Sequence, residues 1–344
     1  MELNRELLNE AIANGLLSAQ QAEQFWVFCS EHSKDTPSFR FTHILYYLGG
    51  LIAIGAMTLF MTLGWEKFGG WGLFFICLGY AVAGIALTEL FLKRRLPIPA
   101  GITAAFVIAL TPLAVYGLQA ALGWWAEGKI YRDYHVLVDW RWMLMELATL
   151  ASGAVMLWRY RLPFLLMPIA ATLWYMSMDL TPFLFGNEDF NWELREFVSL
   201  WFGLLMTLLA FWVDMRTRNR KDFAFWLYLF GVLAFWCGLS MMHSNSELNK
   251  FIYMCINILM ILIGAVLSRR VFVVFGGIGV AGYLSHLAYE VFKDSLIFPF
   301  ALTAIGLGII FVGVIWQRNE IHISSKLRSL LPLPLRELIE HRQG

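Results

Sequence analysis

The stretch YYLGGLIAIGAMTLFMTLGWEKFGGWGLFFICLGYAVAGIALTELFLKRRLP, residues 46–97, decides how this chain is read. Two apolar runs flank a short polar break, WEKFGG, and the second run stops at Lys93, Arg94 and Arg95. At about 1.5 Å of rise per residue, a helical run of about 20 residues crosses the roughly 30 Å hydrocarbon core of a bilayer. Working outward from this pair, eight more such runs follow. The predicted spans are 43–64, 71–92, 98–123, 141–158, 164–182, 194–213, 223–242, 250–268, 271–292 and 297–316. The expected fold is all-α, a polytopic transmembrane helical bundle of about ten spans occupying residues 43–316. The fifth span carries Pro168 and Asp179. Arg269 and Arg270 alone divide the eighth from the ninth. One continuous helix there would put two guanidiniums in lipid, so these two runs form a hairpin.

Composition agrees. Hydrophobic residues make up 59% of the 344 and charged residues 15%, with a mean hydropathy of +0.63. A soluble domain is nearer half apolar and a quarter charged, so this chain lacks the charge to clothe a globule of its size. Aromatic residues at 16% exclude a disordered chain. A net charge of +1 gives no field for nucleic acid. The four cysteines (Cys29, Cys77, Cys237 and Cys255) form no C-x-x-C pair, so neither a disulfide framework nor a metal site is expected. The polar start, MELNRELLNEAIANG, has no apolar core of a signal peptide, and the first span is expected to direct insertion itself.

Orientation follows from the basic residues. With the N-terminus placed in the cytoplasm, the inner segments of the ten-span map hold 19 of the 26 lysines and arginines. That bias predicts that both termini are cytoplasmic. Trp65, Trp71, Trp124, Trp125, Trp140, Trp142, Trp158, Trp192, Trp212 and Trp316 fall at or near span ends, as an interfacial anchoring belt does. Two inner turns, LKRRLP at 92–97 and WRYRLP at 158–163, echo each other.

Residues 1–42 read as a cytoplasmic helical hairpin. Leu3, Leu7, Leu8, Ala11 and Ile12 recur at helical spacing, and Asn14-Gly15 is a helix stop. Ser18 opens a capping box with Gln21, and a second helix runs through Ala22, Phe25, Trp26 and Cys29 to SKDTP at 33–37. Residues 317–344 read as a cytoplasmic amphipathic tail lying at the membrane surface, interrupted by Pro332 and Pro334. The expected partners are the lipid bilayer and a membrane or cytoplasmic protein that meets the hairpin and tail; nucleic acid is not expected.

The order helix, NGLLSAQQAE, helix, followed by the 46–97 stretch with Gly49, Gly50, Gly55, Trp65, Gly69 and Tyr80, resembles a bacterial predicted-membrane-protein family of unknown function. Its members carry a short helical hairpin ahead of several spans. The resemblance covers roughly residues 5–90. It implies a bacterial inner membrane and a non-enzymatic role, and transfers no catalytic residue.

Ionisable residues inside spans are the default functional candidates, since each costs about 2.5–3.5 kcal/mol at mid-bilayer. Glu89 precedes Lys93 by four residues and is expected to pair with it. Glu146, Asp179, His286 and Glu290, with Tyr283 on the His286 face and Asn257 on the neighbouring span, are placed by the map in one outer-leaflet layer. Counted from the span ends, Asn257 is expected level with His286. If the faces converge, these six residues form a polar vestibule in which a carboxylate and an imidazole share a proton. The bland alternative is that each side chain snorkels to the headgroups or bonds once inside the bundle.

No G-x-S-x-G, H-E-x-x-H or Walker sequence is present, and the seven histidines are scattered. Enzyme, cofactor and metal are therefore not expected. GGIGVAG at 276–282 lies in mid-span and reads as a helix-packing face, with Ala304, Gly306 and Gly308. Thr111-Pro112 marks a candidate hinge in the third span. Two readings follow: a non-catalytic membrane scaffold or sensor, and alternatively a proton-linked transporter or permease of small solutes.

Overall fold

A computed structural model describes residues 8, 12, 15–32, 41–125, 140–185, 192–216, 222–242, 246–267, 269–287, 290, 299–300, 303, 306–307 and 311. Among the described residues the chain is all-α. In order come α1 (Ala19–His32), α2 (Phe41–Lys93), α3 (Pro97–Ala121), α4 (Trp140–Tyr160), α5 (Leu166–Phe185), α6 (Trp192–Arg216), α7 (Ala224–Met241), α8 (Glu247–Leu267) and α9 (Arg270–His286). A short 3-10 turn, Pro163–Leu165, precedes α5. Among the described residues, five stretches are long and apolar enough to cross a membrane: Phe68–Lys93, α3, α6, α7 and α8. Ile44–Ala53 and α9 are shorter apolar helices. α4 is diluted by Arg141, Glu146 and Arg159. Most of the expected tenth span, the tail 317–344, the loops 126–139 and 186–191, and Ala304 and Gly308 lie outside the described residues.

The polar break at 65–70 becomes a reversal. Inside α2, Gly69 takes φ 64° and ψ 174°, a conformation only glycine adopts without strain. Contacts with α3 give the direction of each arm. Gly50 packs on Ile102, Gly70 lies against Gly117 and Ala121, and Thr88 bonds Thr103 at 2.9 Å. The chain therefore runs along α3 from the Ile102 level to the Ala121 level, then back.

The same inversion repeats down the sequence. Thr111 meets Ser152 while Gln119 meets the Arg141 carbonyl, which sets α3 against α4. Gly153 meets Ile169 while Glu146 meets Asp179, across α4 and α5. Trp174 and Ser199 join α5 to α6, and Gly203 packs on Gly231 and Phe235 of α7. Trp236 bonds Asn257 and Ser240 bonds Tyr253, across α7 and α8. Finally Asn257 faces Gly279 while Lys250 meets His286. With Asp179 meeting Arg195 across α5 and α6, and Gly238 meeting Glu196 and Leu200 across α6 and α7, a rising number on one helix meets a falling number on the next, so from the second arm of α2 onward each helix runs antiparallel to its predecessor. Gly69, Gly123, Trp140, Trp192, Glu247 and His286 thus share one end of the bundle, the Gly123 end. Lys93, Arg95, Tyr160, Arg216 and Arg269 share the other, the Arg95 end.

Three of these hairpins are closed by glycine. A Cβ on Gly70 would stand 2.3 Å from the Ala121 nitrogen, one on Gly203 would stand 2.2 Å from the Phe235 nitrogen, and one on Gly264 would stand 2.7 Å from Val273. Helices of this composition gain little from a hydrophobic drive in lipid, and close backbone approach supplies the dispersion contact instead. Gly276 and Gly279 of the GGIGVAG run pack on Asn257 and Ile261 in this way, whereas Gly277 and Gly282 meet nothing within 4 Å.

The two echoing basic turns are alike in backbone. Arg95 and Arg161 both take left-handed conformations, φ 57° and 49°. Arg95 closes a double-bonded helix end, with its N–H donating to the Leu92 carbonyl and the Leu96 N–H to Phe91. Arg161 makes the single bond to the Leu157 carbonyl. Proline then opens the next element at 97 and 163. At the chain's beginning, the Gln21 N–H donates to Ser18 Oγ at 3.2 Å and the Ser18 N–H to Gln21 Oε1 at 3.0 Å, forming the reciprocal capping box at the start of α1.

Many large apolar side chains lie exposed on the outside, among them Leu51, Val82, Val155, Trp158, Leu205 and Leu262, while Thr88, Gln119, Glu146, Thr149, Asp179, Ser199, Asp214, Asn257 and Arg269 are buried. A water-facing protein shows the opposite arrangement. This apolar exterior is compatible with an integral membrane protein in contact with lipid.

Candidate functional site

The structure divides the six expected vestibule residues into separate groups. Glu146 and Asp179 come together at the Gly123 end. Glu146 is the only acidic residue of α4, and it shares a buried face with Met145, Thr149, Gly153 and Met156. Asp179 is the only charged residue of α5. Antiparallel packing of α4 and α5 brings the two carboxyl groups within hydrogen-bonding reach of each other. Both residues are 6% exposed. Arg195, in the first turn of α6, places Nη1 3.9 Å from Asp179 Oδ1, an ion pair too long for a good hydrogen bond. Among the described residues, neither carboxyl oxygen of Glu146 receives a hydrogen bond from a donor.

Polar groups extend from this pair in two directions. On α4, Thr149 Oγ1 donates to the Met145 carbonyl, and the Ser152 hydroxyl bonds the Thr149 carbonyl and the Thr111 hydroxyl beside Pro112. On the α5 side, the Trp174 indole N–H donates to Ser199 Oγ, whose hydroxyl donates to the Ala234 carbonyl. These hydroxyls are satisfied within the bundle.

Asn257 stands apart from the acidic pair. It is fully buried, accepts the Trp236 indole N–H at 3.1 Å and donates to the Tyr253 carbonyl at 2.8 Å. Its side chain fills the space that a Cβ on Gly279 would need. It is therefore not level with His286. His286 lies opposite Lys250, at 3.2 Å, with Glu247 at 3.4 Å. From position 250 to 257 is about 10 Å along α8. The offset arises because glycines 264, 276 and 279 set the α8–α9 register, whereas span ends do not. Tyr283 is half-buried on α9 one turn before His286, and Glu290 is exposed. Glu89 does not take Lys93 as its partner in the way its spacing suggested. Its Oε1 accepts from Arg159 at 3.2 Å and from the Tyr160 hydroxyl at 3.0 Å, because the last turn of α4 lies against the second arm of α2. Side chains of Arg159 and Glu89 are 62% and 39% exposed, so this pair contributes about 0–1 kcal/mol.

A second charged cluster, not anticipated from the sequence, lies at the Arg95 end. Arg269, between α8 and α9, is 7% exposed. Its Nη2 donates to Asp214 at 2.9 Å and to Asp222 at 3.0 Å, and its Nη1 also donates to Asp222. The guanidinium lies 5.0 Å from the Tyr228 ring centroid, and Phe272 packs edge-on against that ring. Asp222 also caps α7 through the Phe225 N–H. Burial would lower the Arg269 pKa, but the bonds and charges of Asp222 and Asp214 more than offset it and hold the guanidinium above its ordinary value.

No family model matches this chain, and no curated protein or solved structure matches it either. Among the described residues, no group of three or more His, Cys, Asp or Glu is placed to hold a metal ion.

Proposed function

We propose that this is a ten-span protein of the bacterial inner membrane, with both termini cytoplasmic, acting as a non-catalytic membrane sensor. In this reading the Glu146–Asp179 pair is the input and the cytoplasmic hairpin and tail are the docking output. The observation that carries it is Glu146, buried beside a second carboxyl group and, among the described residues, without a donor. A group with a purely structural role is normally satisfied, whereas an unsatisfied buried carboxyl has a state left to change. The antiparallel succession of helices supports the threading. So do Lys93, Arg94, Arg95, Arg159, Arg161, Arg216, Arg269 and Arg270, which gather at the Arg95 end.

Reporter fusions test the threading. Fusions at Lys129, Glu188 and Ser246 are expected to behave as periplasmic, and those at Arg94, Arg218 and Gly344 as cytoplasmic; one reversed loop overturns the map. The second reading, a proton-linked permease, is favoured by the hydroxyl series Thr149, Ser152 and Thr111, which leads from the acidic pair toward Pro112. Uptake or swelling of proteoliposomes with and without a pH gradient separates the two. Solute flux driven by the gradient replaces the sensor with the permease.

A further inference from the structure

We infer that Glu146 and Asp179 bind one proton between them, with Arg195 as the fixed counter-charge, so that the ligand of this site is a proton. The inference deepens the sensor reading and rests on it only for what the proton does afterwards.

The argument is one of charge and donors. Asp179 is approached by Arg195. Glu146 faces Asp179 and receives no donor among the described residues. Among the described residues, α3 and α5 bring no cation to Glu146: α3 carries no charged residue and one titratable group, Tyr116, and α5 carries Asp179 and Tyr175. On α4 itself Arg141 lies over the rings of Trp125 and Trp140, at 5.3 and 5.7 Å. Glu193 and Glu196 flank Arg195 on α6 and are acidic.

With both carboxyls ionised, the triad holds a net negative charge in a buried site, and two anions face each other. One proton on a carboxyl oxygen forms an O–H that donates to the other carboxylate, brings the triad to neutrality and supplies the donor that Glu146 lacks. Two carboxyl groups in contact hold a proton as a pair, not as separate acids. Uptake needs no co-reactant: a proton enters from water and a carboxylate becomes a carboxylic acid.

The test is infrared difference spectroscopy on the full chain in lipid nanodiscs, following the carboxylic-acid C=O stretch and its shift in heavy water. The wild type is expected to show a protonated-carboxyl band at neutral pH, where solvated carboxyls are ionised. Glu146→Gln removes it. Asp179→Asn removes it too, because Glu146 then faces an amide donor and Arg195 and ionises. Arg195→Gln moves the band's titration toward higher pH. Helix content and size-exclusion profile confirm that each variant is folded, and either acid variant alone suffices if the other does not fold. The proposal is overturned if the wild type lacks the band, if Glu146→Gln leaves it, or if it survives in Asp179→Asn, which would assign the proton to Glu146 alone. A band that behaves as expected in a protein whose partner binding ignores pH keeps the proton site and removes the sensor.

Discussion

Two clusters built from the same ingredients sit at opposite ends of the bundle. Asp214, Asp222 and Arg269 occupy the Arg95 end, and Glu146, Asp179 and Arg195 the Gly123 end; each is two acids and one arginine. At the first, Arg269 donates to both carboxylates and rests against an aromatic ring. At the second, Arg195 reaches one acid at 3.9 Å and, among the described residues, no donor reaches the other. Composition does not separate them; connectivity does. The closed cluster ties the end of α6, the start of α7 and the α8–α9 turn together and has no reason to change charge. The open one lacks a donor that a single proton supplies.

The largest expected effect breaks the closed cluster. Arg269→Ala leaves Asp214 buried without its cation, which costs about 3–5 kcal/mol. Unfolding in detergent should show the loss, and adding Asp214→Asn should return part of it. A loss below about 1 kcal/mol would mean that Asp214 is solvated and that the cluster is no bracket.

A smaller effect tests the separation of Asn257 from His286. The Cβ of Gly279→Ala would stand 2.0 Å from Asn257 Oδ1, and that amide is held by Trp236 and the Tyr253 carbonyl. Overpacking of this kind costs about 1–3 kcal/mol. The alanine at Gly277 meets nothing and should cost little; equal effects at 277 and 279 would refute the register. Away from both clusters, Ser18→Ala removes the hydroxyl half of the capping box and should cost about 1 kcal/mol of local stability, read by hydrogen exchange in α1.

What the sequence displayed was whatever is local. Five long apolar helices, the reversal at Gly69, the Ser18–Gln21 cap and the packing glycines 276 and 279 are each written within a few consecutive residues. Glu89 shows the limit. Its spacing to Lys93 is visible in the chain, but its partner is 70 residues away. Arg195 falls inside the expected sixth span, 194–213, and nothing in the linear sequence pairs it with Asp179 on the helix before. Asp214 and Arg269 fall just beyond the ends of expected spans, and nothing in a linear sequence says which turns converge. Depth measured from span ends misplaced Asn257 by two helical turns, since close glycine contacts fix register and hydropathy does not.

The smallest expected effect is the sharpest contrast. Glu146→Gln and Asp214→Asn make the same chemical change, carboxylate to amide, at residues equally hidden from water. Asp214 gives up a charge that Arg269 is positioned to meet, so its amide should destabilise the bundle measurably. Among the described residues no donor reaches Glu146, and a buried charge without a partner contributes nothing favourable. Its amide keeps the shape and adds an N–H donor aimed at Asp179. Glu146→Gln should therefore change stability by less than about 1 kcal/mol, with either sign. Equilibrium unfolding of the two variants side by side decides it. If Glu146→Gln costs as much as Asp214→Asn, Glu146 is a partnered structural charge, and the two ends of the bundle are the same device built twice.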